Sequence, residues 1–251
     1  MRFFFSTAII FQVFLYALPL FVTSQDNTPV NDSLAIARAI GMYHKSMNPE
    51  SGLYDGSEYP YTAYYPVAPA DSDPFFINST FDTGAVFYQG MLYENVPLLF
   101  DIIQGDVLVR DPSKLNIIRL HKENVEWFRL HGHTFLRLEK DSSSTHPVKT
   151  GFYTPLHRGS TSLYLFPSKQ IKESSSASGG LKTYADENDE YLINKGNDYF
   201  KVKDKKSVLR VLGDRRKEIG QFIKKNKLKL RQDPYNNLPK VVAYYDTLAS
   251  R

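Results

Sequence analysis

The chain has 251 residues, 31 Lys and Arg against 27 Asp and Glu, and no cysteine. The absence of thiols excludes disulfides, thiolate metal sites, lipidation at cysteine and cysteine-based catalysis. The formal net charge of +4 hides an asymmetry: residues 25–112 carry 12 acidic and 3 basic side chains, and residues 113–251 carry 15 acidic and 27 basic.

The first residues read as a leader. Arg2 precedes a largely apolar run from Phe3 to Val22, and Val22-Thr23-Ser24 offers residues a signal peptidase accepts. The expectation is a signal peptide over 1–24, cleaved after Ser24. An uncleaved anchor helix is the competing reading, since about 20 apolar residues span a bilayer. Pro19 and the polar QDNTPVNDS that follows favour cleavage. Export without disulfides suits a bacterial envelope and leaves the fold to its core alone.

Residues 25–83 form an entry segment. Asn31-Asp32-Ser33 supplies N-cap chemistry, and Ile36, Ala39, Ile40, Tyr43 and Met47 fall at helical spacing, so one helix is expected before Pro49. The following SGLYDGSEYPYTAYYPVAPADSDPFF reads as an irregular stretch held on the fold by its aromatic rings.

Residues 84–203 read as strands at roughly 8–12 residue spacing. Ala85 to Tyr88 and Met91 to Tyr93 flank a turn at Gln89-Gly90. Val96 to Ile103 and Asp106 to Arg110 flank Gln104-Gly105. Asn116 to His121, Val125 to Leu130 and Thr134 to Glu139 continue the series, the last two across His131-Gly132-His133. In Val125 to Leu130, Val125, Leu130 and either Trp127 or Phe128 compete for the inner face. Gly151 to Leu156 turns at Arg158-Gly159 into Thr161 to Phe166, running on to Ile171. SSSASGG reads as a loop, and Glu190 to Asn194 pairs with Tyr199 to Val202.

Residues 204–251 change period. Asp204 is a good N-cap for a basic helical region that Pro234 ends, and Leu238 to Leu248 closes the chain as a short helix. The fold expected is mainly β (α+β): an antiparallel meander forming a curved sheet, sandwich or partly open barrel, with an N-terminal helix and C-terminal basic helices packed on it.

The segments GAVFYQGMLYENVPLLFDIIQGDVLV, VEWFRLHGHTFLRLE, TGFYTPL, YFKVKDKKSVLRVLGDRRKEIGQFIKKNKLKLR and VVAYYDTL together resemble a group of exported β-rich proteins of Bacteroidota-type Gram-negative bacteria. The resemblance covers most of the chain after the leader. It implies export and a β-rich architecture, and it brings no activity, cofactor or site residue with it.

The candidate chemistries are few. His121, His131 and His133 would need to converge to hold zinc, yet Gly132 makes a turn of the last two, so no metal or other cofactor is expected. Glu94, Asp101 and Asp106 are candidate carboxylates for hydrolysis of an envelope polymer, the alternative to a binding role. Gly159-Ser160-Thr161-Ser162 lacks the context of a nucleophile elbow and reads as a hairpin turn. Neither GxxxxGK[ST] nor GxGxxG occurs. The strongest local signal is basic: residues 201–231 carry 13 Lys or Arg against Asp204, Asp214 and Glu218. Apolar helical spacing there leaves Arg215, Arg216, Lys224, Lys225, Lys227 and Lys229 to the outer face. Such a helix suits anionic lipid, acidic polysaccharide or an acidic envelope protein, while nucleic acid is not expected of an exported chain. The competing reading is a solvated face that balances the acidic half.

Overall fold

A computed structural model describes residues 51–65, 73–113, 115–140, 146, 148–175 and 181–249. The predicted leader, the helix expected before Pro49 and most of the SSSASGG loop lie outside the described residues.

Thirteen strands form among the described residues: β1 (Ser57–Glu58), β2 (Asp82–Tyr88), β3 (Met91–Asp101), β4 (Asp106–Arg110), β5 (Ile117–Arg119), β6 (Val125–Leu130), β7 (His133–Leu138), β8 (Gly151–His157), β9 (Thr161–Phe166), β10 (Lys169–Ser175), β11 (Leu181–Glu187), β12 (Glu190–Lys195) and β13 (Asp198–Val202). Eleven of them make one sheet in the order β1-β5-β4-β3-β2-β6-β7-β8-β9-β12-β13, every pairing antiparallel. The architecture is mainly antiparallel β, as expected, in a curved open sheet rather than a closed barrel. The tight turns fall where glycine permits them: Gln89-Gly90 and His131-Gly132 all have positive φ, the mirror-image turn whose twist matches its strands.

Three details differ from the sequence reading. Met91–Tyr93 and the residues from Val96 to Asp101 belong to one long strand, β3, which bulges at Asn95 (φ +58°) where the register shifts between Gly84 and Ala85, and Ile102 and Ile103 fall in the turn that follows. Lys169–Ser175 leaves the main sheet and pairs with Leu181–Glu187 as a separate two-stranded ribbon, a partner strand to which the sequence reading gave no element. Pro234 opens the last helix instead of ending the region before it, because proline lacks only an amide that the first turn leaves unpaired. Asp233 caps that turn through the Asn236 amide at 3.2 Å.

The sheet curls tightly enough that Phe100 of β3 and Phe152 of β8 meet with ring centroids 5.9 Å apart, four strand steps apart in the sheet. Phe128 and Phe135 fill the space between them, stacked at 4.7 Å. This aromatic cluster, with Val86, Leu98 and Val107, is the first core. The same face continues through β8 into a second core, where Leu163, Leu165, Tyr191 and Ile193 pack on three helices: α2 (Lys205–Val211), α3 (Arg216–Lys225) and α4 (Pro234–Ala249). A single helical turn, α1 (Tyr61–Tyr64), belongs to the entry segment.

On the reverse face the entry segment is pinned by its rings, as the sequence suggests. Tyr59 and Tyr65 bury against Phe75, Leu99 and Leu108, and β1 adds to the sheet edge beside β5. The start of the segment packs into the first core, where Leu53 buries and the fully buried Tyr88 donates to Asp55 at 2.6 Å. No helix among the described residues is long and apolar enough to cross a membrane.

These tyrosines set a pH dependence. Burial first, and then hydrogen bonds to carboxylates, push the Tyr59, Tyr65 and Tyr88 hydroxyls well above the ordinary phenol range. A group whose folded-state pKa is raised contributes stability that is present below its unfolded value and lost as pH rises beyond it. Stability is therefore expected to fall from pH about 10 upward, where unfolded tyrosine ionises and the folded rings stay neutral. The urea midpoint at pH about 11 should lie well below that at pH about 8; equal midpoints would contradict the burial of these hydroxyls.

Candidate functional site

The C-terminal basic region folds into α2 and α3, and the local sequence dictates how. The Asp204 carboxylate accepts the Ser207 amide at 2.8 Å, and the Ser207 hydroxyl accepts the Asp204 amide at 3.1 Å, a reciprocal cap that starts α2. The Ser207 amide and then the Ser207 hydroxyl, which also donates to the carboxylate at 2.8 Å, hold the Asp204 carboxyl below its usual range. Gly213 ends the run, and a short 3₁₀ turn reorients the chain into α3. In α3, Ile219 and Ile223 bury into the second core and Phe222 stacks on Tyr244 at 4.1 Å. The period of 3.6 then sends Arg216, Lys217, Gly220, Gln221 and Lys224 outward.

Between α2 and α3 this outward row lines a shallow trough of about 460 Å3, with Lys205 and Leu209 of α2 on its other side. A Cβ on Gly220 would meet nothing within 4 Å, so the missing side chain leaves open space at this point of the trough. Lys205, Arg216, Lys217 and Lys224 converge there, and among the described residues no carboxylate lies within ion-pairing distance of any of them. The nearby acids are engaged elsewhere. Asp214 accepts Lys195 at 2.6 Å and the Tyr245 hydroxyl at 2.9 Å, and Glu218 faces Arg215 at 3.9 Å.

Of the six basic residues singled out from sequence, the fold brings Arg216 and Lys224 to the trough. Arg215 turns back to donate to the Leu248 carbonyl at 3.3 Å, which ties α3 to the end of α4. Lys225 ends α3, Lys227 sits in the following turn at φ +51°, and Lys229 lies beyond it; all three are exposed and outside the trough. Lys205 and Lys217 were missed. Lys217 lies one residue from Arg216 on the same exposed arc, so the helical wheel contains it. Lys205 joins only through the chain reversal at Gly213.

The carboxylate candidates part ways. Glu94 is exposed, whereas Asp101 and Asp106 are cross-strand neighbours with 0% and 1% exposure. Asp101 accepts Tyr59 and Tyr65, and Asp106 meets the Lys122 ammonium at 2.9 Å with Arg119 at 3.8 Å; neither is open to a polymer. Among the described residues no three His, Asp or Glu side chains gather as a metal site. His131 pairs with Asp82 at 3.0 Å, His133 packs edge-on against Phe76, and His121 faces Glu123. Burial, and then the neighbouring His131, lower the His133 pKa.

Ser160 of the Gly159–Ser162 turn does join a His from β8 and an Asp from α4, in an order that does not activate serine. Asp246 of α4 lies in the middle, taking Ser160 Oγ at 2.8 Å, the Thr161 amide at 3.1 Å and His157 Nε2 at 2.9 Å. A nucleophile needs the imidazole between hydroxyl and carboxylate. Here the carboxylate anchors the last helix to the β8–β9 turn. Comparison with protein-family models, curated proteins and solved structures finds no match to the chain.

Proposed function

We propose that the protein is an exported, non-enzymatic component of a bacterial cell envelope that binds an anionic surface, of lipid headgroups or acidic polysaccharide, through the trough between α2 and α3. The observation that carries this reading is the convergence of Lys205, Arg216, Lys217 and Lys224 around an open groove with no carboxylate partner among the described residues. A solvated face that only balances the acidic half would place its cations against acids. Here the acids beside the trough are held by Lys195, Tyr245 and Arg215 instead. Each lysine or arginine near an anionic bilayer contributes about 1 kcal/mol, so four acting together suffice for recruitment that weakens with salt.

The test is co-sedimentation with vesicles of phosphatidylglycerol and phosphatidylcholine against phosphatidylcholine alone. Binding to the anionic vesicles should be strong at low salt and should fall at least about tenfold when Lys205, Arg216, Lys217 and Lys224 are replaced by glutamine. Replacing Lys225, Lys227 and Lys229 should cost less. Equal retention on neutral and anionic vesicles would overturn the proposal for lipid. Retention on an acidic polysaccharide column with loss in the same four-residue variant would assign the surface to the polymer.

A further inference from the structure

A second, independent feature lies on the opposite side of α2 from the trough. On the sheet face that α3 and α4 do not cover, β8, β9, β12 and β13 carry a cluster of rings: Tyr153, itself buried, packs on Phe166 at 4.9 Å, and the half-buried Tyr164 packs on Tyr199 at 6.1 Å, with Leu192 and Val148 buried beside them. Cross-strand register puts Leu192 opposite Lys201 and Asn194 opposite Tyr199, so Lys201 and Tyr199 share this face. Tyr191 and Ile193 point the other way, into the helical core. A cavity of about 800 Å3 opens over the rings and reaches around β13 to Arg210 of α2. That volume is in the range that encloses a small organic molecule.

The rim is charged in an unbalanced way. Lys149 and Lys201 both reach the same oxygen of Glu190, Oε1, at 2.8 and 3.0 Å. One carboxylate thus faces two ammonium groups. Arg210, the third cation of the rim, has no carboxylate partner among the described residues. Burial pushes the Glu190 carboxyl up, but the hydrogen bonds from Lys149 and Lys201 outweigh it and hold the carboxyl below its usual range. The rim therefore sets three basic side chains, Lys149, Lys201 and Arg210, against the one carboxylate of Glu190. The Tyr199 hydroxyl adds a donor that no protein group among the described residues accepts.

We propose that this cavity binds a small amphipathic organic anion, its apolar body on Tyr153, Leu192 and Tyr199 and its acidic group between Lys149 and Lys201. The second ammonium contact, which Glu190 only partly satisfies, supplies the charge-assisted hydrogen bonds that a ligand carboxylate, sulfonate or phosphate completes. The apolar floor supplies most of the buried area, and the lysine pair selects for charge. The proposal does not rest on the trough: Lys205 and Leu209 of α2 face that groove, and Arg210 faces this cavity.

Two dyes with one aromatic body separate the contributions: 8-anilino-1-naphthalenesulfonate carries the anion, and N-phenyl-1-naphthylamine lacks it. In fluorescence titrations of the purified full chain, the sulfonate should bind about tenfold more tightly than the neutral amine. Replacing both lysines, Lys149→Met with Lys201→Met, should erase that difference. Both side chains are more than half exposed, at 68% and 57%, so the variant should keep the wild-type melting temperature. Glu190→Gln removes the competing carboxylate and should tighten sulfonate binding several-fold, an effect that loss of a structural ion pair would not give. Equal binding of the two dyes, sulfonate affinity unchanged in the lysine pair variant, or sulfonate binding lost on Lys205→Met with Lys217→Met instead, would each overturn the proposal.

Discussion

Asp101→Ala is expected to destabilise the protein by about 4 kcal/mol. The carboxylate is fully buried, so its charge is compensated by donors alone. Four reach it: the hydroxyls of Tyr59 at 2.5 Å and Tyr65 at 2.7 Å, and the amides of Ile103 and Gln104, each at 2.9 Å. The two amides belong to the β3–β4 turn, and the two tyrosines belong to the entry segment some 40 residues upstream. One side chain thus closes a turn and fastens the segment that covers the reverse face. Alanine leaves two buried hydroxyls and two amides without an acceptor and opens a small void. Asparagine keeps the shape and one acceptor oxygen but presents an amide to donors, so it should cost about half as much. Urea unfolding reads both variants, with Tyr59→Phe and Tyr65→Phe closing a double-mutant cycle that isolates the pair energies. A loss below about 1 kcal/mol for alanine would mean that the entry segment is held by ring packing alone.

Asp101 also shows where sequence stops. As a strand-end carboxylate it reads as solvated or, in the alternative, as a hydrolytic acid, since nothing local says that Tyr59 and Tyr65 fold over it. What depends on neighbours in the chain was legible. Gln89-Gly90 and His131-Gly132 announce their turns through residues that tolerate positive φ. Asp204 and Ser207 announce the start of α2. The competition in β6 between Trp127 and Phe128 is settled by a bulge: Phe87 pairs with Trp127 but Tyr88 pairs with Val125, so the register slips by one. Val125, Phe128 and Leu130 then bury together, a spacing that strict alternation does not generate. The β10–β11 ribbon escaped notice because KQIKESS and LKTYADE are polar, and their pairing rests on backbone bonds across the loop. The sites divide in the same way. Arg216 and Lys224 follow from one helix and its period. Tyr153, Glu190 and Tyr199 come from β8, β12 and β13, whose adjacency around β9 is a property of the whole sheet order.

Gly84→Ala is expected to cost about 3 kcal/mol. Gly84 sits in β2, the strand between β3 and β6 at the middle of the aromatic core. A Cβ there would lie 2.2 Å from the Arg129 carbonyl oxygen and 2.8 Å from Leu98 Cδ1. The first of these is backbone of the paired strand, so relief requires β2 and β6 to separate, and their separation disturbs Phe128 and everything stacked on it. Glycine, with no Cβ, is the residue that accepts so close an approach of the two backbones. Gly90→Ala provides the comparison. Its Cβ meets nothing within 4 Å, and only the positive φ of +75° opposes it, so about 1 kcal/mol is expected. Urea midpoints should therefore rank wild type above Gly90→Ala and Gly90→Ala above Gly84→Ala. If the two variants unfold together, the approach of β2 to β6 is looser than the geometry requires. The opposite order would place the strain at the turn and leave the bulged strand free to adjust.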